Sequence, residues 1–302
     1  MLRSLYSGVS GLRNHQQKMD VIGNNIANVN TAGFKKGRTD FKDMLSQTLQ
    51  DAAAPSLTKG GTNPAQIGLG VTMGSIETIM TQGAAQTTGK NTDLMIQGDG
   101  FFVVNNGGKL LYTRAGAFDL DASGNLVDPS TGAFVETYSF GSPTSLNPPV
   151  QTQDLTALKS VQLVKGAAFP GLAPGDPLTG YTLDTFSIDK SGTINGVYTK
   201  PDGSTAVVRI AQVAIANFPN VAGLSKEGNS YYANTNNSGA ASIGVAGTSG
   251  RGDIIPGGLE MSNVDLSEEF TDMIITQRGF QANSRVITVS DTLLEELINL
   301  KR

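Results

Sequence analysis

Few residues of this chain could do chemistry, and they do not converge. His15 is the only histidine and cysteine is absent, so a zinc-type site of imidazole and thiolate ligands, a thiolate nucleophile and a disulfide are all excluded. The run Asp119-Leu120-Asp121-Ala122-Ser123 opens like a calcium loop, yet the twelfth position from Asp119 is Ser130, where such a loop needs a bidentate Glu. A hairpin turn is the better reading. Arg251-Gly252-Asp253 spells a cell-adhesion tripeptide and Asn236-Asn237-Ser238 a sequon, both short enough to recur by chance in a Gly-rich loop. No phosphate-binding Gly loop opens a helix, no nucleophile elbow occurs, and nothing picks out a pair of carboxylates for acid–base work. No catalytic, cofactor-binding or metal-binding residue is therefore expected, and the chain does not read as an enzyme. His15 is expected on the exposed side of a helix, and Lys35-Lys36-Gly37-Arg38 in a solvated turn.

What is patterned is the apolar side chains at the two ends. From Leu266, steps of four and three reach Phe270, Met273, Gln277, Phe280, Ser284, Ile287, Asp291, Leu294 and Ile298, the heptad period of a coiled coil. Asp265 and Glu268 read as a capping-box variant, acids crowd the first turns, and Lys301 and Arg302 sit where the helix dipole favours cations. A helix over Asp265 to Leu300 would be roughly 50 Å long, at about 1.5 Å per residue. Burial of its seam does not offset about 1–2 kcal/mol of backbone entropy per residue, so it needs a partner. The other matching seam is Leu5, Val9, Leu12, Met19, Ile22 and Ile26, with Gln16 in a polar slot, on a helix from Ser4 to about Asn28.

Between the helices the character changes. Charged residues are 16% and aromatics 6%, while 37 Gly imply many turns, the composition of a strand-and-turn body. A short helix is expected over Phe41 to Leu49, then loop to Gly74. From Val71 to about Gly258 the apolar period is two, with turn residues every eight to twelve positions. Asp93 to Val104 gives two strands around Gly98-Asp99-Gly100. Phe118 to Leu126 repeats as Phe186 to Ile194, each a strand, a Gly-containing turn and a strand. Asn234 to Gly258 reads as a return loop. The predicted class is α+β: discontinuous N- and C-terminal helices forming a coiled-coil domain (1–34 with 262–302), a linker over 35–70, and a central all-β domain over 71–261 with 141–184 as a small excursion. A net charge of −4 argues against a nucleic-acid partner, no stretch is long enough to span a bilayer, and the interrupted apolar run of Met1 to Leu12 is unlike a cleavable signal.

Two segments carry a resemblance. Asp20 to Lys36, with Gly23-Asn24-Asn25-Ile26-Ala27-Asn28 at its heart, resembles the N-terminal signature of the bacterial flagellar axial proteins, the rod and hook family. Met261 to Leu266, Glu269 to Ile274 and Gln277-Arg278-Gly279-Phe280-Gln281-Ala282-Asn283-Ser284 resemble its C-terminal signature. Asp93 to Val104 and Tyr112 to Phe118 resemble its outer-domain motifs. The opening Met1 to Gly8 and the ending Leu297 to Arg302 look most like short hook members of Gram-positive type, whereas Gln47 to Gly68 looks like the linker that stiffens rods.

The resemblance implies a structural subunit of the hook, with a distal rod subunit as the alternative. It would be exported without a cleavable signal to the cell exterior through the flagellar type III apparatus. There it would polymerise with its own copies and meet rod and hook–filament junction proteins and the hook cap. The residues expected to carry self-assembly are Leu5, Val9, Leu12, Met19, Ile22 and Ile26, then Asn25, Asn28 and Phe34 of the amide-rich segment. On the tail they are Leu266, Phe270, Met273, Gln277, Phe280, Ile287, Leu294 and Ile298.

Overall fold

A computed structural model describes residues 2–300 apart from 56–59, 142, 144, 147, 148 and 170–177. Lys301 and Arg302, expected at the helix C-terminus, lie outside the described residues. The fold is α+β, with one helix at each end and strands between. The chain forms two compact units: Met1–Val29 with Lys36–Ile79 and Val264–Arg302, and Asn30–Lys35 with Met80–Asn263.

In the first unit helix α1 spans Leu2–Ala27 and helix α2 spans Leu266–Leu300. Helix α1 stops because Asn28 returns both its backbone amide and its side-chain amide to the carbonyl of Asn24, closing the last turn. Helix α2 starts at an N-cap: Asp265 Oδ1 accepts from the amide of Ser267 at 2.8 Å. Glu268 does not complete the capping box. Its carboxylate turns to Lys36 Nζ, 2.7 Å away.

The residues expected as a short helix and linker form a β-ribbon instead. Strand Gly37–Asp43 pairs antiparallel with Val71–Thr78, with a bulge between Asp40 and Phe41, and Ser46–Gln50 pairs with Ala65–Gly68. Phe41, Leu45 and Leu49 have helical spacing, but cross-strand pairing in the ribbon overrides this weak local period. Residues 36–79 therefore cluster with the helices, not with a β body starting at 71.

The second unit is built on a 13-stranded antiparallel sheet. Strand Phe101–Asn106 pairs with Lys109–Thr113 on one side and Phe134–Phe140 on the other. The period of two divides its side chains between two faces, both covered: Phe102 and Val104 enter one apolar cluster, Phe101 and Val103 another. Leu94–Gln97, before the Gly98-Asp99-Gly100 turn, leaves this ladder and pairs with Asp253–Pro256.

The internal repeat folds twice in the same way. Asp121 Oδ1 accepts from the amides of Ser123 and Asn125, and Asp189 Oδ1 from those of Ser191 and Thr193. Each is an Asx-stabilised hairpin turn closed by a glycine with positive φ, Gly124 or Gly192.

The segment 141–184 is not a separate excursion. Gln153–Ser160 adds a strand to Phe134–Phe140, and Val161, Leu163, Phe169 and Leu178 join the larger core. The expected return loop likewise carries strands, since Ser242–Gly244 pairs with Ile215–Asn217 and Gly258–Glu260 with Ala85–Thr87. Within it Arg251 folds back on the Val245 carbonyl and Asp253 enters a strand, so the tripeptide is not a free loop.

Candidate assembly surface

Helices α1 and α2 pack antiparallel, and the seam between them is not the apolar one. Gly8 lies against Ile287, Gly11 against Asn283 and Gly279 against the His15 ring; a methyl group added to Gly11 would sit 2.6 Å from the Asn283 amide. Lys18 pairs with Asp272 at 3.4 Å, and Asn25 donates to Glu269 at 3.1 Å. The contact face of α1 is thus Gly8, Gly11, His15, Lys18, Ile22 and Asn25. It has heptad spacing, but apart from Ile22 each position stands one residue before a predicted or polar-slot position.

On α2 the buried side chains are Glu269, Thr276 and Ser290. Small residues on both faces let the backbones approach closely, with Ile22 and Ile287 the large apolar side chains placed on the contact faces. His15 is accordingly not on the exposed side. Its ring packs at Gly279 and edge-on to Phe41, 6.0 Å away, and burial, with the Lys18 charge adding to it, holds its pKa below the ordinary value.

Asn25 anchors this seam to the ribbon. Its side chain is buried and makes a closed pair with Gly37, donating to the Gly37 carbonyl at 2.9 Å and accepting from the Gly37 amide at 2.9 Å; its other N–H reaches Glu269. All of its hydrogen-bonding capacity toward these groups is used. Burial pushes the Glu269 carboxyl above its ordinary range; the Asn25 hydrogen bond and Lys36 pull it part-way back, and Asp272 and Glu268 raise it.

Of the residues expected to carry assembly, Ile22 and Asn25 are buried within the single chain. Leu5, Leu12, Met19, Ile26, Asn28, Met273, Phe280, Ile287 and Leu294 are half-buried. Val9, Leu266, Phe270, Gln277 and Ile298 are exposed. Phe34 belongs to the second unit, where Lys226 Nζ stands 5.3 Å from its ring centre. Further apolar residues that no seam reading identified are exposed on α2: Ile274, Ile275, Val286, Val289, Leu293, Leu297 and Leu300. Among the described residues Ile22 is the only buried apolar side chain of the first unit.

Both ends and the middle of the chain match known families. Residues 5–35 match the flagella basal body rod protein family, 95–196 the flagellar hook protein FlgE/F/G D1 domain, and 255–300 the C-terminal family of the flagellar basal body rod FlgEFG proteins. The flagellar hook protein FlgE of Borreliella burgdorferi is 34% identical over an alignment of 446 residues that covers all of both chains. That of Treponema pallidum is also 34% identical, again over the whole of both chains. The chain belongs to the flagellar rod and hook protein family. A third relative, the flagellar basal-body rod protein FlgG of Bacillus subtilis, is 45% identical over 303 residues, all of both chains.

The two terminal family segments contain the whole helix seam, Asn25 and Glu269 included. The segment 5–35 also ends on a residue that sequence reading misplaced. Lys35 is not solvated: it is fully buried in the second unit, where Nζ donates to the Thr81 carbonyl at 2.8 Å and to Glu260 Oε1. Glu260, also fully buried, accepts from the Gly83 amide, and Arg114 Nε lies 3.6 Å from its second oxygen.

Burial pushes the Lys35 pKa down, the Glu260 hydrogen bond and charge pull it up, and Arg114 pushes it down again. Lys35, Thr81 and Glu260 each lie within a few residues of a point where the chain passes from one unit to the other. No spacing announces this cluster, because its members are distant in sequence. Gly33 belongs to the same corner: φ is +70° and a Cβ there would strike the backbone of Ala115 at 2.5 Å, so no other residue fits.

Proposed function

We propose that this family member is a structural subunit of the bacterial flagellar hook, not an enzyme, and that it polymerises with copies of itself through α1 and α2. The observation that carries this reading is the unit without a core. A helix pair that, among the described residues, buries Ile22 alone of its apolar side chains, while exposing apolar residues along the length of α2, does not offset the ordering of more than sixty helical residues by itself. Neighbouring copies supply the missing burial, and head-to-tail repetition of identical chains generates a tube when the rotation does not close.

In the polymer the helices form a coiled coil. Val9, Leu266, Phe270 and Ile298 are covered by neighbours there, while Leu5, Leu12, Met19, Ile26, Met273, Phe280, Ile287 and Leu294 complete their burial. Asn25 and Asn28 hold the root of the helix pair, and Phe34, in the second unit, meets a neighbouring copy. The partners beyond the polymer are the rod, the hook–filament junction proteins, the hook cap and the type III export apparatus; no nucleic acid, membrane or cofactor is involved.

The equal-length match to the Bacillus subtilis rod protein favours a second reading, a distal rod subunit. Immunogold labelling of isolated flagella separates them: label on the curved segment outside the cell envelope supports the hook, and label confined to the straight rod of the basal body overturns it.

A further inference from the structure

Beside α1 runs a groove of about 560 Å³, lined by Tyr6, Val9, Arg13, Met44, Leu69 and Val71 among others. It lies wholly within the first unit. The groove residues of α1 stand roughly 160° around the helix from Gly8, Gly11 and His15, at about 100° per residue, so α2 of the same chain occupies the opposite face. Tyr6 and Val9 are exposed, and Arg13 is exposed with no ion-pair partner among the described residues.

A segment of matching chemistry exists elsewhere on the chain. Leu293, Leu297 and Leu300 follow one another at four and three residues on one face of α2, continuing Val286 and Val289, and all five are exposed. Glu296 flanks them, exposed and also without a described partner. Gly8, less than two turns into α1, already faces Ile287. In this antiparallel register the final turns of α2 run past Leu2, the start of α1, and away from the groove alongside Tyr6 to Gln17. A chain therefore cannot fill its own groove.

We propose that the Leu293–Leu297–Leu300 stripe of one copy seats in the Tyr6–Val9–Met44–Leu69 groove of the next, with Glu296 against Arg13. The proposal rests on the reading of the chain as a polymer subunit and names the contact that propagates the polymer. It fits a second copy rather than a foreign partner because the apolar stripe and its acid complement the apolar groove and its base.

The absence of cysteine makes the test clean. Val9→Cys and Leu297→Cys full-length chains, purified separately, are mixed, polymerised and oxidised, with Val207→Cys and Leu297→Cys as the background pair, Val207 being exposed on the other unit. The expected result is a covalent dimer in the first mixture at about ten times the background yield, as a fixed contact at high effective concentration requires.

In a second arm Arg13→Glu slows polymerisation about tenfold through like-charge juxtaposition, and adding Glu296→Arg restores it. Polymers of ordinary length with no excess of the Val9–Leu297 dimer overturn this contact alone. Failure of the unaltered chain to polymerise overturns the reading as a polymer subunit and the contact with it.

Discussion

At the scale of the residue, the buried polar side chains have the sharpest consequences. Asn25→Ala removes the partner of the half-buried Gly37 amide and carbonyl and of the buried Glu269, and leaving a buried group unpaired costs about 1–3 kcal/mol. The polymer should then dissociate at a distinctly lower temperature, measured by light scattering during heating. An unchanged midpoint would show that Gly37 finds another partner.

Glu269 gives a pH dependence of definite sign. Its pKa in the folded chain is raised above the ordinary carboxyl value, so between the two values the folded state binds more protons and stability falls as pH rises through that window; at neutral pH the penalty is present in full. Glu269→Gln keeps an oxygen for Asn25 and removes the charge. It should therefore raise the dissociation temperature at pH 7 and lose that advantage by about pH 4. An equal shift at both pH values would mean that the carboxylate charge is not what matters.

Lys35 has the opposite neighbourhood, a fully buried pair rather than a lone acid. Lys35→Met leaves the Glu260 carboxylate with the Gly83 amide and the more distant charge of Arg114. Removing one member of such a pair costs about 3–5 kcal/mol, which should appear as a large drop in the urea midpoint of the β unit followed by near-ultraviolet circular dichroism.

At the scale of the element, the α1–α2 pair is organised by small residues. Gly11 is buried, with the Asn283 side chain 2.6 Å from where a Cβ would stand, whereas Gly23 is exposed with nothing within 4 Å. Gly11→Val should pry the helices apart and weaken or abolish polymerisation. Gly23→Ala should stabilise by about 0.4–1 kcal/mol, since it only restricts the unfolded chain and improves helix propensity. Sedimentation of polymer formed by each variant checks the contrast, and a Gly11 variant that polymerises normally would place the helix contact elsewhere. The ribbon of Gly37–Asp43 with Val71–Thr78 is the other element with a role here, since Gly37 is the residue to which Asn25 ties α1.

At the scale of the whole molecule, stability is divided unequally. Among the described residues the second unit holds almost all of the buried apolar side chains, in two clusters on the faces of one sheet, and the first holds Ile22. Local unfolding should follow that division. Limited proteolysis of the monomer is expected to remove the terminal helices first and leave a fragment close to residues 80–263, while the polymer protects the helices. A monomer as resistant at its ends as in its sheet would show that the helix pair does not depend on neighbours.

The sequence by itself determined the two terminal helices, their heptad period, the two-residue period of the body and the repeated Asp-x-Ser-Gly turns. Each of these is written in residues close enough to interact along the chain, where periodicity and turn chemistry act. It also carried the family, through amide-rich and C-terminal segments whose residue order is specific. Tertiary structure alone decided which stripe of each helix meets the other. The largest apolar side chains mark the faces with most to bury, but the closest approach belongs to Gly8, Gly11 and Gly279, whose small size is invisible to a search for hydrophobic seams.

Tertiary structure also turned Phe41 to Leu49 from a helical period into parts of two strands, because each pairs with a strand about twenty to thirty residues further along the chain. And it alone brought Lys35, Arg114 and Glu260 together. An ion pair between residues separated by 225 positions leaves no local pattern, since the burial that gives it its strength exists only after the chain has folded.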